Sequence, residues 1–294
     1  MRLDDIDPTD NARDLGVGGG GGGGFPLLGL LPLFLGRRMG CGSIVIIGLI
    51  AIAYFAMSGG GGLVGGGSGG QSGTAGQSGR QVCEADPLRL EACRVMRLAD
   101  DTWAGIFRSE GKTYEPAYIK FYQRSVQSGC GNASSAVGPF YCPSDDSVYL
   151  DTSFFQELEQ RFGAKGDFAR DYVVAHEMGH HVQDLLGTSD KVSQMQAQGS
   201  KAEGNALSVR LELQADCYAG VWAARNRSRL EPGDMEEGMT AANAIGDDTL
   251  QKEAQGQVVP ETFTHGTSAQ RVAWLRKGLE TGDPNSCDTF SGTI

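Results

Sequence analysis

Basic side chains are in short supply in this 294-residue chain, with 25 Lys and Arg against 36 Asp and Glu and a net charge of -11. So acidic a chain lacks the electrostatic footprint of a nucleic-acid partner. Charge of either sign is missing altogether from Met39 to Gly79. No Cys-x-x-Cys pair occurs, which argues against a zinc ribbon or a thioredoxin-like redox motif. Histidine is rare too, four in all, so any place where several gather carries information.

Glycine is abundant, with 45 residues, and runs at 18–24, 59–62 and 65–67 crowd the first 80 positions. Such sequence cannot bury a core. Within the uncharged stretch, Ser43 to Met57 (SIVIIGLIAIAYFAM) is strongly apolar, and residues 39–57 reach the short end of a spanning helix, roughly 17 to 25 residues. Arg37 and Arg38 stand just before it, so the positive-inside rule places the N-terminus in the cytoplasm and the rest outside. The expected organisation is therefore a cytoplasmic glycine-rich segment 1–38, one transmembrane helix 39–57, a Gly/Ser-rich linker 58–79 and a domain 80–294. That arrangement describes a single-pass protein of the inner membrane with its domain periplasmic or extracellular. Beyond the membrane segment lie Cys83, Cys93, Cys130, Cys142, Cys217 and Cys287, an even set that suits an oxidising compartment. Closeness in sequence favours Cys83 with Cys93 and Cys130 with Cys142, leaving Cys217 for Cys287.

The domain is expected to be α+β, mostly helical with a small sheet. Asp86 to Phe107 carries apolar residues at helical spacing, whereas Ala117 to Val126 and Ser147 to Asp151 are rich in aromatic and branched residues bounded by turn formers. Helices are then predicted from Thr152 or Ser153 to Phe162, Asp167 to Leu186, Lys201 to Arg225, Met235 to Ala244 and Thr267 to Leu279. The last of these opens on a capping box, Thr267-Ser268-Ala269-Gln270.

Three of the four histidines fall in Val173-Val174-Ala175-His176-Glu177-Met178-Gly179-His180-His181. Histidines four apart lie about 40° apart around a helix, so His176 and His180 can close on one ion. Glu177 is displaced enough not to compete as a ligand and near enough to reach a metal-bound water, where a carboxylate can act as general base. His181 points about 100° from His180 and reads as a packing residue. A catalytic zinc takes three protein ligands and keeps an open position. No third histidine follows closely, since positions 183 and 186 are Gln and Leu. The next long helix offers Glu212 and Asp216 on one face, one to bind metal and the other to brace a liganding histidine. His265, just before the capped helix, could donate a hydrogen bond to an oxyanion or merely tie down the helix start.

With these motifs in view, the chain resembles the bacterial family of neutral zinc metallopeptidases, within the gluzincin group that includes thermolysin and the membrane heat-shock metalloproteases. The resemblance runs through FYCPSDDSVYLDTSFF at Phe140 to Phe155, VVAHEMGHHVQ at Val173 to Gln183, VRLELQADCYAG at Val209 to Gly220 and THGTSAQRVAWL at Thr264 to Leu275. It implies one catalytic Zn2+ held by His176, His180 and Glu212, with Glu177 as base and Asp216 orienting a histidine. It also implies a zincin-like fold in which an edge strand takes the backbone of a peptide or protein substrate, with Val148 to Asp151 as the expected strand. The competing expectation is a non-catalytic zinc-containing envelope protein that binds a partner or acts as scaffold.

Overall fold

Asp86 followed by Pro87 opens the first long helix for local reasons: the Asp86 carboxylate accepts from the backbone N–H groups of Leu88 and Arg89, and proline at the first position forfeits no hydrogen bond. This helix, α2 (Pro87–Ser109), follows the short α1 (Gly79–Glu84) and buries Trp103 and Phe107 in the core. The molecule is described here from a computed structural model covering residues 1–18 and 78–294. The expected membrane helix 39–57, the glycine runs apart from Gly18 and nearly all of the linker 58–79 lie outside the described residues.

Four strands form the main sheet in the order β1 (Ala12–Val17), β2 (Tyr118–Gln123), β6 (Ser147–Leu150) and β5 (Phe140–Cys142). The first three run parallel, and β5 closes the edge antiparallel to β6. Strands β3 (Ser125–Ser128) and β4 (Gly131–Ser134) make a separate hairpin. All four residues of β6 are buried, as an interior strand requires. The segment expected to offer a free edge, Val148 to Asp151, therefore lies between β2 and β5, and among the described residues the free edge on this side belongs to β5.

Two crossed helices support the rest. Helix α4 (Asp167–Leu185) starts after Gly166, at φ 103°, and stops before Gly187, which takes the left-handed conformation at φ 69°. Between α4 and the sheet comes α3 (Ser153–Gln160), and after α4 comes α5 (Thr188–Gln198). Helix α6 (Lys201–Arg225) opens on a capping box made by Ser200 and Glu203. Phe168 of α4 stacks on Trp222 of α6 with ring centroids 6.2 Å apart. Then follow α7 (Asp234–Ala244), α8 (Asp247–Gln255) and α9 (Ser268–Thr281), the last capped by Thr267 and Gln270 as the sequence predicts. The result is α+β and mostly helical, and among the described residues no helix is long and apolar enough to cross a membrane.

The boundary expected between a segment 1–38 and a domain 80–294 does not hold for the first seventeen residues. Strand β1 pairs with β2 from Ala12 opposite Ile119, and Met1 and Leu3 lie in the core. Ion pairs of Arg89 with Asp14 (2.8 Å) and Arg80 with Asp7 (2.9 Å) add to the attachment. The Met1 amino group sits 2.8 Å from Asp167 and 3.2 Å from Asp234. Glycine content hid this, because the apolar residues that dock the segment are few and the polymer-like runs follow directly. The cysteines pair as their spacing favours: Cys83–Cys93, Cys130–Cys142 and Cys217–Cys287.

Candidate metal centre

Helix α4 presents His176 and His180 from one face, as a spacing of four residues dictates, and α6 brings Glu212 against them. The Nε2 atoms of the two histidines are 3.2 Å apart. Glu212 Oε2 is 3.2 Å from His176 Nε2, and Oε1 is 3.5 Å from His180 Nε2. A tetrahedral zinc with ligand bonds of about 2.0 to 2.1 Å requires ligand atoms about 3.3 Å apart. The residues thus fit the ion in both kind and spacing.

The other ring nitrogens are anchored so that the Nε2 lone pairs face one another. His176 Nδ1 donates to Asp216 Oδ1 at 2.9 Å, and His180 Nδ1 donates to Gln183 Oε1 at 2.8 Å. Gln183 is itself fixed, its amide donating to the Leu211 carbonyl at 2.6 Å. Two lone pairs and a carboxylate converging in a buried place call for a cation. The electrostatics carry the same demand: burial opposes charge on His176, yet Asp216 and Glu212 outweigh it and raise its pKa to about 10. Burial pushes Glu212 up, and the neighbouring His180 and His265 more than reverse this, holding it well below the usual carboxylate range.

Glu177 borders a cavity of about 340 Å³ that also exposes His176, His180, Glu212 and His265. Phe140 and Tyr141 of the edge strand β5 line the same cavity, so the free strand edge runs beside the histidine helix. His181 is turned away: Nε2 donates to the Glu115 carbonyl at 2.7 Å and Nδ1 accepts from Tyr141 at 3.0 Å. Burial lowers its pKa, as suits a neutral packing residue.

His265 reaches the cavity from the loop before α9. Asp247, at the start of α8, accepts the backbone N–H groups of Thr264 and His265, both at 2.7 Å, and its Oδ1 lies 3.3 Å from His265 Nδ1. Burial opposes charge on His265, but Glu212 and Asp247 together raise its pKa. Asp247 was not singled out from the sequence, where Gly246-Asp247-Asp248 reads as an ordinary helix start. Arg271 and Tyr172 both contact Asp216, and neither forms a recognisable motif with it in sequence.

A family model described as "Putative neutral zinc metallopeptidase" matches residues 1–290. Similar proteins are "Uncharacterized protein YpfJ" of Escherichia coli (strain K12), 50% identical over 202 residues, 68% of this chain and 70% of that protein. "Uncharacterized protein Rv2575" of Mycobacterium tuberculosis (strain ATCC 25618 / H37Rv) is 46% identical over 220 residues, 70% of this chain and 73% of that protein. No solved structure matches.

Proposed function

The chain belongs to the neutral zinc metallopeptidase family, and from that premise we propose that it is a zinc-dependent endopeptidase with a zincin-like active site. His176, His180 and Glu212 would hold one Zn2+, and Asp216 would brace His176. The observation that carries this reading is the convergence of those three ligand atoms at tetrahedral spacing beside Glu177 and an open cavity. A purely structural zinc site needs neither the cavity nor the extra carboxylate.

Bound there, zinc would supply Lewis-acid chemistry, polarising a carbonyl and lowering the pKa of a water to about 7. Glu177 accepts the proton of the attacking water and passes it to the leaving amine. His265, oriented by Asp247, donates from its ring to the oxyanion as the carbonyl becomes tetrahedral. The unpaired edge of β5 receives the substrate backbone as an added strand, which aligns the scissile bond with Glu177. Phe140 and Tyr141 on that strand keep the cleft partly apolar and limit access of water.

The envelope location is proposed with the activity. Three disulfides support a domain outside the cytoplasm. Pairing of β1 with β2 supports residues 1–17 lying on that same side, which is incompatible both with the cytoplasmic N-terminus that Arg37 and Arg38 suggest and with a single crossing at 39–57.

The test is digestion of a denatured protein by the purified full chain in detergent, before and after removal of metal with a chelator. Activity lost with the metal and regained with added Zn2+ is expected. Cleavage indifferent to the chelator would reject the reading.

A further inference from the structure

Asp216 accepts more hydrogen bonds than a brace for His176 needs. Its Oδ1 takes His176 Nδ1 at 2.9 Å, the Tyr172 hydroxyl at 2.6 Å and Arg271 Nη2 at 3.0 Å, while Oδ2 takes Arg271 Nε at 2.9 Å. Arg271 spends its remaining donors nearby, Nη1 on the Ile245 carbonyl at 3.2 Å and Nη2 on the Tyr172 hydroxyl at 3.1 Å. Arg271 is only 2% exposed and Asp216 not at all.

A lone carboxylate can rotate about its last bond, and a histidine that follows it can rotate with it. The guanidinium fork removes that freedom, because two parallel N–H groups on two oxygens fix the plane of the carboxylate. With the plane fixed, Oδ1 offers His176 a single direction, and the Nε2 lone pair is aimed between His180 and Glu212. Desolvating an aspartate and an arginine together is tolerable only when each completes the other's hydrogen bonds, as here. The cluster also spans three helices, with Tyr172 and His176 on α4, Asp216 on α6 and Arg271 on α9.

We infer that Arg271 is a positioning residue of the metal centre, acting through Asp216 to hold the His176 ring in its liganding orientation, with Tyr172 as the second support. The inference rests on the proposed metal site, and zinc affinity tests it whether or not the protein cleaves peptides.

The experiment compares full-length wild type, Arg271→Met, Arg271→Ala, Arg271→Lys and Tyr172→Phe in detergent. Zinc affinity is measured by chelator competition, ligand geometry by the visible spectrum of the Co2+ form, and kcat and KM on a peptide. Loss of a group that orients a ligand weakens metal binding by about 10 to 100-fold, and that is the fall expected for Arg271→Met, together with an altered cobalt spectrum. Where turnover is measurable, kcat should fall by more than KM rises, because the change acts mainly through the orientation of His176, although Arg271 and Tyr172 also border the cavity. In Arg271→Ala, which leaves a void in place of the side chain, guanidinium ion at millimolar concentration should restore part of the affinity. Arg271→Lys should fall between, since a point charge cannot make the fork, and Tyr172→Phe should lose a few-fold. Wild-type affinity and an unchanged cobalt spectrum in Arg271→Met would overturn the inference. So would a loss in Arg271→Ala that guanidinium leaves unchanged, which would reduce Arg271 to helix packing. If Arg271→Met does not fold, wild-type affinity and spectrum in Arg271→Lys would overturn it equally.

Discussion

Replacing Gly278 by alanine should destabilise the domain, even though alanine is the better helix former. Gly278 on α9 and Gly220 on α6 meet where the two helices cross, and each faces the other's backbone. A Cβ at Gly278 would overlap the Cys217 carbonyl oxygen and lie 2.9 Å from the backbone N of Val221; one at Gly220 would lie 2.7 Å from the backbone N of Leu279. Peptide groups cannot step aside as a flexible side chain can, and the Cys217–Cys287 disulfide ties α6 to the turn after α9. Helix propensity favours alanine by about 1 kcal/mol, whereas overpacking a closed contact costs typically about 1 to 3 kcal/mol and sometimes more. Because the added Cβ would overlap a backbone carbonyl oxygen, the overpacking cost stands at the upper end of that range and should win by about 2 kcal/mol, which for a domain of this size lowers Tm by roughly 4 to 8 °C. Gly278 lies two helical turns beyond Arg271, so lifting α9 should also loosen the fork on Asp216 and reduce zinc retention. Calorimetry of the purified full chain with parallel zinc analysis measures both. A Tm equal to or above that of wild type would refute the close-approach argument.

Glu212→Ala should be nearly free of metal at zinc concentrations where Asp216→Ala still fills partly, because one removes a ligand and the other a brace. Metal analysis with thiol counts checks this, and the reverse order would exchange the two roles. Asp100 supplies a pH prediction: burial raises its pKa from 3.8 to about 7, outweighing the Tyr114 hydroxyl that donates to it. The folded state therefore binds that proton more tightly than the unfolded state, so stability falls as pH rises from about 4 to about 7. Asp100→Asn should flatten this stretch of the stability profile, raising stability at pH 8 more than at pH 5; equal changes at both would refute the assignment. Reporters placed before Met1 and after Ile294 should register the same side of the membrane if β1 pairs with β2 in the cell, and opposite sides would dissolve that pairing.

The local parts of the site could be read directly from the chain. His176, Glu177 and His180 lie within about one helical turn of one another, and Glu212 and Asp216 share a face four residues apart, so periodicity groups each set, while the joining of the two sets and the role of Glu212 come from the family resemblance. The cysteine pairs followed from proximity in sequence and from the parity of the set. What escaped is what the fold assembles over distance. Asp247 lies 18 residues before His265 and looks like any acid at a helix start, and Arg271 reaches Asp216 across 55 residues. Helices α5 and α8 are short and polar. Strand β1 escaped because its pairing partner is more than 100 residues away and its own sequence alternates poorly. The edge strand was misplaced by one, since β6 is the more β-like sequence and for that reason sits inside the sheet.

Under the proposed function, Glu177 is the base and the metal is held by other residues. Zinc content measured beside turnover in Glu177→Gln separates the two roles, since the substitution keeps the size of the side chain and removes the proton acceptor. Zinc bound in wild-type amount, an unchanged Tm and turnover lower by several orders of magnitude are expected. Turnover equal to wild type with zinc in place would contradict the role of Glu177 as base.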